Sequence, residues 1–196
     1  MYRRVVIDGP EASGKTTLLF GISKIGDSHH HCCKDFGCQV FAPSWNFASL
    51  QMQQQGKEIN QNTMEALMRS IVSDMANYCY PYLSKTHFFE KSLCTNKLIA
   101  EELGTALPEY FDSLCRDYFA YYPKVFILKP LESLTCEPGD AVRKQKELEF
   151  KRICSLYKSF GYEVITVPVY SENIDKSCLK RLEKIFSELK KDEQIN

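Results

Sequence analysis

At 196 residues and 22.6 kDa the chain has the size of one globular domain, and a 44% hydrophobic content can bury a core without disulfides or metals. Lys and Arg number 25 and so do Asp and Glu; this balance excludes the basic field on which binding to a nucleic-acid polymer relies. No run approaches the roughly 18 apolar residues of a membrane span, so residues 1–196 are expected to form a single soluble, unsecreted domain.

The predicted elements alternate along the chain. Val5, Val6 and Ile7 lie in an apolar run over residues 3–8 that reads as a buried strand ending at Gly9. From Lys15, the spacing of Leu18, Leu19, Ile22 and Ile25 gives one apolar helical face, stopped by Gly26 and Asp27. Residues 28–37 are polar and patternless, residues 39–42 read as a strand closed by Pro43, and residues 47–55 read as helix or loop. A longer helical pattern starts near Gln61 or Asn62, runs through Met64, Leu67, Ile71, Met75 and Tyr78, and ends about Pro81. Residues 86–90 form the next strand, followed by a helix over 92–102 stopped at Gly104 and another that begins at Pro108. Residues 124–129 are a strand closed by Pro130; a loop over 132–140 with Pro138 and Gly139 leads to a helix over 143–160 stopped at Gly161. A last strand at 163–167 precedes an amphipathic helix carrying Leu179, Leu182, Ile185, Phe186 and Leu189, with residues 190–196 expected to fray. This order predicts a three-layer α/β fold, a five-stranded parallel sheet with helices on both faces.

Nine cysteines, an odd number without repeated spacing, argue against a disulfide framework and for a reducing cytoplasm. His29, His30, His31, Cys32 and Cys33 are chemically suited to zinc or copper, but consecutive side chains cannot all turn to one ion, so this run is expected to be an exposed loop.

One segment carries chemistry. Gly9, Pro10, Glu11, Ala12, Ser13, Gly14, Lys15 and Thr16 satisfy G-x-x-x-x-G-K-[ST] without substitution, between a predicted strand and a predicted helix. Gly9 lets the chain leave the strand sharply, Gly14 lets backbone N–H groups approach phosphate, and the helix turns its positive end to the same anion. Lys15 suits the β- and γ-phosphate oxygens, the Thr16 hydroxyl suits Mg²⁺, and Thr17 is placed for the α-phosphate. These residues predict a P-loop NTPase fold binding a nucleoside triphosphate.

The segment Val5-Val6-Ile7-Asp8-Gly9-Pro10-Glu11-Ala12-Ser13-Gly14-Lys15-Thr16-Thr17-Leu18 resembles the opening of small P-loop kinases, the thymidylate kinase and deoxynucleoside kinase group in particular. Residues 122–128, Asp140-Ala141-Val142-Arg143 and residues 157–168 resemble the compact AAA-type ATP/GTP-binding domains related to ribosylnicotinamide kinase. The resemblance implies that Glu90, where such kinases carry Asp-Arg, acts as base or holds a magnesium-bound water, with Lys91 in place of the arginine. It also implies a mobile lid over residues 130–146, from which Arg143, or else Lys144 or Lys146, reaches the transferring phosphoryl group. Pro168 and Val169 would flank the base. Read without the resemblance, a strand-end Glu–Lys pair and a basic first turn are also ordinary solvated surface.

Two places depart from the kinase pattern. Residues 42–47 hold neither the acid nor the arginine for an acceptor, although Trp45 and Phe47 could stack on a flat group or cover the core, and Thr95 stands where a second Asp is usual. The expected function is a cytoplasmic, Mg²⁺-dependent P-loop kinase transferring the γ-phosphoryl of ATP, with GTP as the alternative, to a nucleoside, nucleotide or related metabolite. The rival is a nucleotide-dependent switch whose catalysis has lapsed. A plain NTPase would need a strand ending in Asp-Glu and an arginine from a neighbour, and neither is legible. Phe111, Tyr118, Tyr121 and Tyr122 serve either the core or a homodimer patch.

Overall fold

Side chains alternate across a strand, and here that alternation builds two cores on the two faces of one sheet. β1 (Arg3–Asp8) sends Val5 and Ile7 into one core and Val6 into the other; β3 (Thr86–Glu90) divides Phe88 from Phe89 in the same way. In β4 (Lys124–Leu128), Val125 and Ile127 face one side while Phe126 and Leu128 face the other. With β2 (Cys38–Phe41) and β5 (Glu163–Val167), these strands form a five-stranded, all-parallel sheet in the order β2-β3-β1-β4-β5. The computed structural model describes residues 3–27, 38–41, 62, 86–92, 94–104, 106–118, 124–134 and 139–193.

Helices cover both faces because parallel strands need crossovers. On one face α1 (Lys15–Asp27) supplies Leu18, Leu19 and Ile22, and α5 (Ile174–Glu193) supplies Leu182, Ile185 and Leu189. On the other lie α2 (Thr95–Leu103), α3 (Phe111–Tyr118) and α4 (Asp140–Ser159), contributing Cys94 just ahead of α2, Phe111, Cys115, Phe150, Ile153 and Tyr157. Each such aliphatic or phenyl side chain, fully buried, contributes about 1.5–3 kcal/mol of transfer free energy.

The boundaries differ from expectation in instructive places. α2 starts at Thr95 rather than at residue 92; ahead of it the Ser92 hydroxyl accepts the Cys94 N–H (3.2 Å) and is hydrogen-bonded to the Tyr157 hydroxyl (2.8 Å). α3 starts at Phe111; Pro108 sits in the turn before it, its carbonyl accepting the Phe111 N–H at 2.9 Å. α4 begins at Asp140, three residues before the expected start, and α5 continues to Glu193 beyond the expected fraying point. The predicted stops hold at Gly104, in the left-handed region with φ 62°, and at Gly161 with φ 92°. Cys94, Cys115, Cys154 and Cys178 are free thiols, and the first three are buried among apolar neighbours. Phe111 belongs to the core, at 1% exposure. The expected His/Cys loop, the helix or loop at 47–55 and the expected helix up to Tyr78 lie outside the described residues, apart from helical Asn62, as do Trp45, Phe47, Tyr121 and Tyr122.

Candidate functional site

The sheet order places the loop. β1 lies between β3 and β4, the connection from β3 to β4 crosses over it, and this reversal opens a crevice beyond the carboxyl end of β1. Residues 9–14 leave β1 into that crevice and enter α1. Gly9 has φ 149°, and a Cβ there would lie 2.6 Å from the Leu128 carbonyl oxygen on the neighbouring strand, so no larger residue fits. Gly14 (φ 81°) and Ala12 (φ 60°) complete the turn, and the Ala12 carbonyl accepts the Leu131 N–H at 3.0 Å.

Lys15 curls back over the loop. Its ammonium donates to the carbonyls of Gly9 and Pro10, both at 2.8 Å, and to the Ser13 hydroxyl at 3.4 Å. Burial to 8% exposure pulls its pKa below the usual lysine value, and the nearby Asp8 carboxylate opposes that shift. The Thr16 hydroxyl donates to Glu90 Oε1 at 3.2 Å. Glu90 reaches it because β3 pairs in the register Ile7↔Glu90, and the chain turns at once: Lys91 has φ 62° and donates its N–H to the Ile7 carbonyl at 3.0 Å. Lys15, Thr16, Thr17 and Glu90 thus line one cleft of about 530 Å³ together with the loop backbone.

Beneath the loop lies a buried network that the sequence did not announce. Asp8, 0% exposed, accepts from the Gly9 N–H (2.7 Å), the Thr95 hydroxyl (2.5 Å) and the Tyr157 hydroxyl (2.7 Å). Burial and the Asp8 charge both push the Tyr157 phenol well above its usual pKa, so it remains a donor. The Thr95 hydroxyl therefore satisfies a buried carboxylate, which an acid at that position would instead oppose.

A second missed residue is Arg181 on α5. It is 1% exposed and donates to the carbonyls of Ser13 (2.6 Å), Lys129 (2.8 Å) and Pro168 (3.1 Å). Burial lowers its pKa to about 10, which leaves it charged at neutral pH. The sequence held one signal: Arg181 interrupts the apolar stripe of Cys178, Leu182 and Ile185.

Among the expected lid residues, Arg143 and Lys146 line a second cavity, and none of the described residues within 130–146 lines the phosphate-loop cleft. Arg143 lines a neighbouring cavity of about 270 Å³ with Pro130, Lys146 and Val169, and there it pairs with Asp140 (3.0 Å) and Glu132 (3.6 Å). The arginine that lines the phosphate-loop cleft is Arg152, about three turns along α4 and paired with Glu101 (3.2 Å) and Glu102 (3.7 Å). Lys146 joins Glu11 to Glu149, at 3.4 Å from each, and the Glu11 N–H donates to Glu149 at 3.4 Å.

The donor set suits a hard cation. Thr16 and Glu90 bring two oxygens together, and among the described residues no group of three or more His, Cys, Asp or Glu is placed to hold a metal. Mg²⁺ bound beside a nucleotide needs only one or two protein oxygens, the rest coming from phosphate and water, so these residues fit it.

A glycine-cornered loop between a central parallel strand and a helix, with a lysine, a threonine and a strand-end carboxylate around one cleft, defines a P-loop nucleotide-binding protein with a kinase-like fold. Residues 4–175 match the family described as the AAA domain, and the chain belongs to that family. Among solved structures the chain is similar to a thymidylate kinase from Ehrlichia chaffeensis, with a TM-score of 0.62 and 11% identity over 94% of this chain and 98% of the other. It is also similar to the thymidylate kinase from Candida albicans, with a TM-score of 0.55 and 12% identity over 95% and 92% of the two chains. A comparison with curated protein sequences gives no match. Among the described residues no helix is long and apolar enough to cross a membrane.

Proposed function

We propose that this protein is a P-loop phosphotransferase that binds a nucleoside triphosphate with Mg²⁺, ATP before GTP, and passes the γ-phosphoryl to a small hydroxyl or phosphate acceptor. The acceptor class is a nucleoside, nucleotide or related metabolite, in line with the thymidylate kinases that share the fold. The observation that carries this reading is the convergence of Lys15, Thr16 and Glu90 on one cleft at the carboxyl end of β1. Phosphoryl transfer asks the protein mainly for positioning and charge neutralisation, and these residues supply both.

In this reading the backbone of residues 9–17 cradles the phosphates, and Lys15 exchanges its carbonyl partners for phosphate oxygens. Thr16 would hold Mg²⁺, which when bound would neutralise charge on the phosphate oxygens; Glu90 either holds a water of that ion or accepts the acceptor's proton. Residues 130–146 act as a lid, Arg143 turns from its carboxylates toward the phosphoryl group on closure, and Pro168 flanks the base. The free, buried thiols support a reducing cytoplasm as the compartment.

A thermal-shift panel of nucleoside triphosphates with and without Mg²⁺, followed by γ-phosphate consumption across nucleosides and nucleotides, tests the proposal. A Mg²⁺-dependent rise in Tm with acceptor-stimulated turnover supports it, and Lys15→Ala should abolish both. Unchanged behaviour of Lys15→Ala overturns it. One observation favours a second reading, a nucleotide-dependent switch: Thr95, where the kinase resemblance places an acid, is occupied in holding Asp8. A Tm rise without turnover selects that reading.

A further inference from the structure

Arg181 touches the phosphate loop from 168 residues away, and among the described residues no carboxylate forms an ion pair with it. Its three acceptors belong to three different segments: Ser13 in the phosphate loop, Lys129 after β4 and Pro168 after β5. A buried guanidinium without a counter-ion is costly, and packing at this level of α5 is otherwise provided by apolar Leu182 and Ile185. What an apolar side chain cannot provide is the planar fork, which fixes several acceptors in one geometry.

The consequence follows from peptide planarity. The Ser13 carbonyl and the Gly14 N–H belong to one trans peptide and point in opposite directions, so a carbonyl held toward Arg181 turns the Gly14 N–H away from α5, to the opposite side of the loop. The same holds for the Pro168 carbonyl and the N–H of Val169, a residue that lines the neighbouring cavity. Lys129 lines that cavity too. One side chain therefore ties the phosphate-loop cleft to the walls of the cavity beside it.

Resting on the nucleotide reading above, we propose that Arg181 is a positioning residue for a ligand that spans both cavities: it holds the phosphate loop and the neighbouring walls in one register before the ligand arrives. The test is calorimetric binding of Mg-ATP and of Mg-tripolyphosphate to the wild type, Arg181→Gln and Arg181→Lys, at a temperature where circular dichroism shows each protein folded. Lysine keeps the charge without the fork, so it decides the matter if the glutamine variant does not fold. The expected result is a loss of about tenfold or more in ATP affinity for both variants, larger than their loss for tripolyphosphate. A purely structural role lowers Tm but leaves the affinity of the folded protein where it was. Wild-type binding with unchanged variant affinities overturns this inference alone, and so do equal losses for the two ligands. Absence of wild-type binding to either ligand overturns the nucleotide reading and this inference with it.

Discussion

The Tyr157 hydroxyl donates a 2.7 Å hydrogen bond to the carboxylate of Asp8, a residue 149 positions earlier, and so fastens α4 to the root of the phosphate loop. Because the same carboxylate also accepts the Gly9 N–H, the contact reaches the first residue of the loop directly. Tyr157→Phe removes the donor and takes from the Ser92 hydroxyl one of its two partners, leaving it the Cys94 N–H. The expected loss is about 1–3 kcal/mol of stability, read from urea unfolding midpoints with an unchanged m-value. A variant as stable as the wild type contradicts the structural weight given to this bond.

Gly9→Ala tests the close approach of the loop to β4. The added Cβ meets the Leu128 carbonyl oxygen at 2.6 Å, a backbone atom that cannot step aside, and φ 149° disfavours any L side chain. We expect a cost of at least about 1–3 kcal/mol in stability together with loss of nucleotide binding. Retention of both is the contrary result.

Thr95→Asp places a second carboxyl against buried Asp8. Like charges at this range hold the introduced carboxyl protonated, raising its pKa in the folded state above the unfolded value of about 3.9. An acid whose folded pKa is raised loses stability as pH climbs past its unfolded pKa. The variant should therefore be closer to the wild type at about pH 4 than at about pH 7, in urea titrations run across that range. A destabilisation independent of pH shows that the lost hydroxyl, rather than charge, is the cause.

Glu90→Gln keeps an acceptor for Thr16 but removes the negative charge. For a phosphotransferase the expected outcome is a fall in kcat of about 10²-fold or more, with Kd for the nucleotide changed much less. Equal loss in both places Glu90 in nucleotide binding alone.

The strands, their parallel pairing and the phosphate loop were legible because each rests on local pattern: apolar runs of strand length, helical spacing of Leu18, Leu19 and Ile22, and a fixed spacing of glycine, lysine and threonine. Glu90 was legible as well, as a carboxylate at the carboxyl end of a parallel strand, where open α/β sheets place their sites. Asp8 passed as a strand terminus and Thr95 as a lost acid, for their meaning lies in each other and in Tyr157, three residues brought together by two different crossovers. Arg143 and Arg152 lie on one helix, and which of them faces the loop depends on how α4 rotates and packs against the sheet; its apolar face, Phe150, Ile153 and Tyr157, sets that rotation. Arg181 is the extreme case: its partners are main-chain carbonyls, which every residue possesses, so no spacing of residue types could point to them before α5 was laid against α1 and the carboxyl ends of β4 and β5.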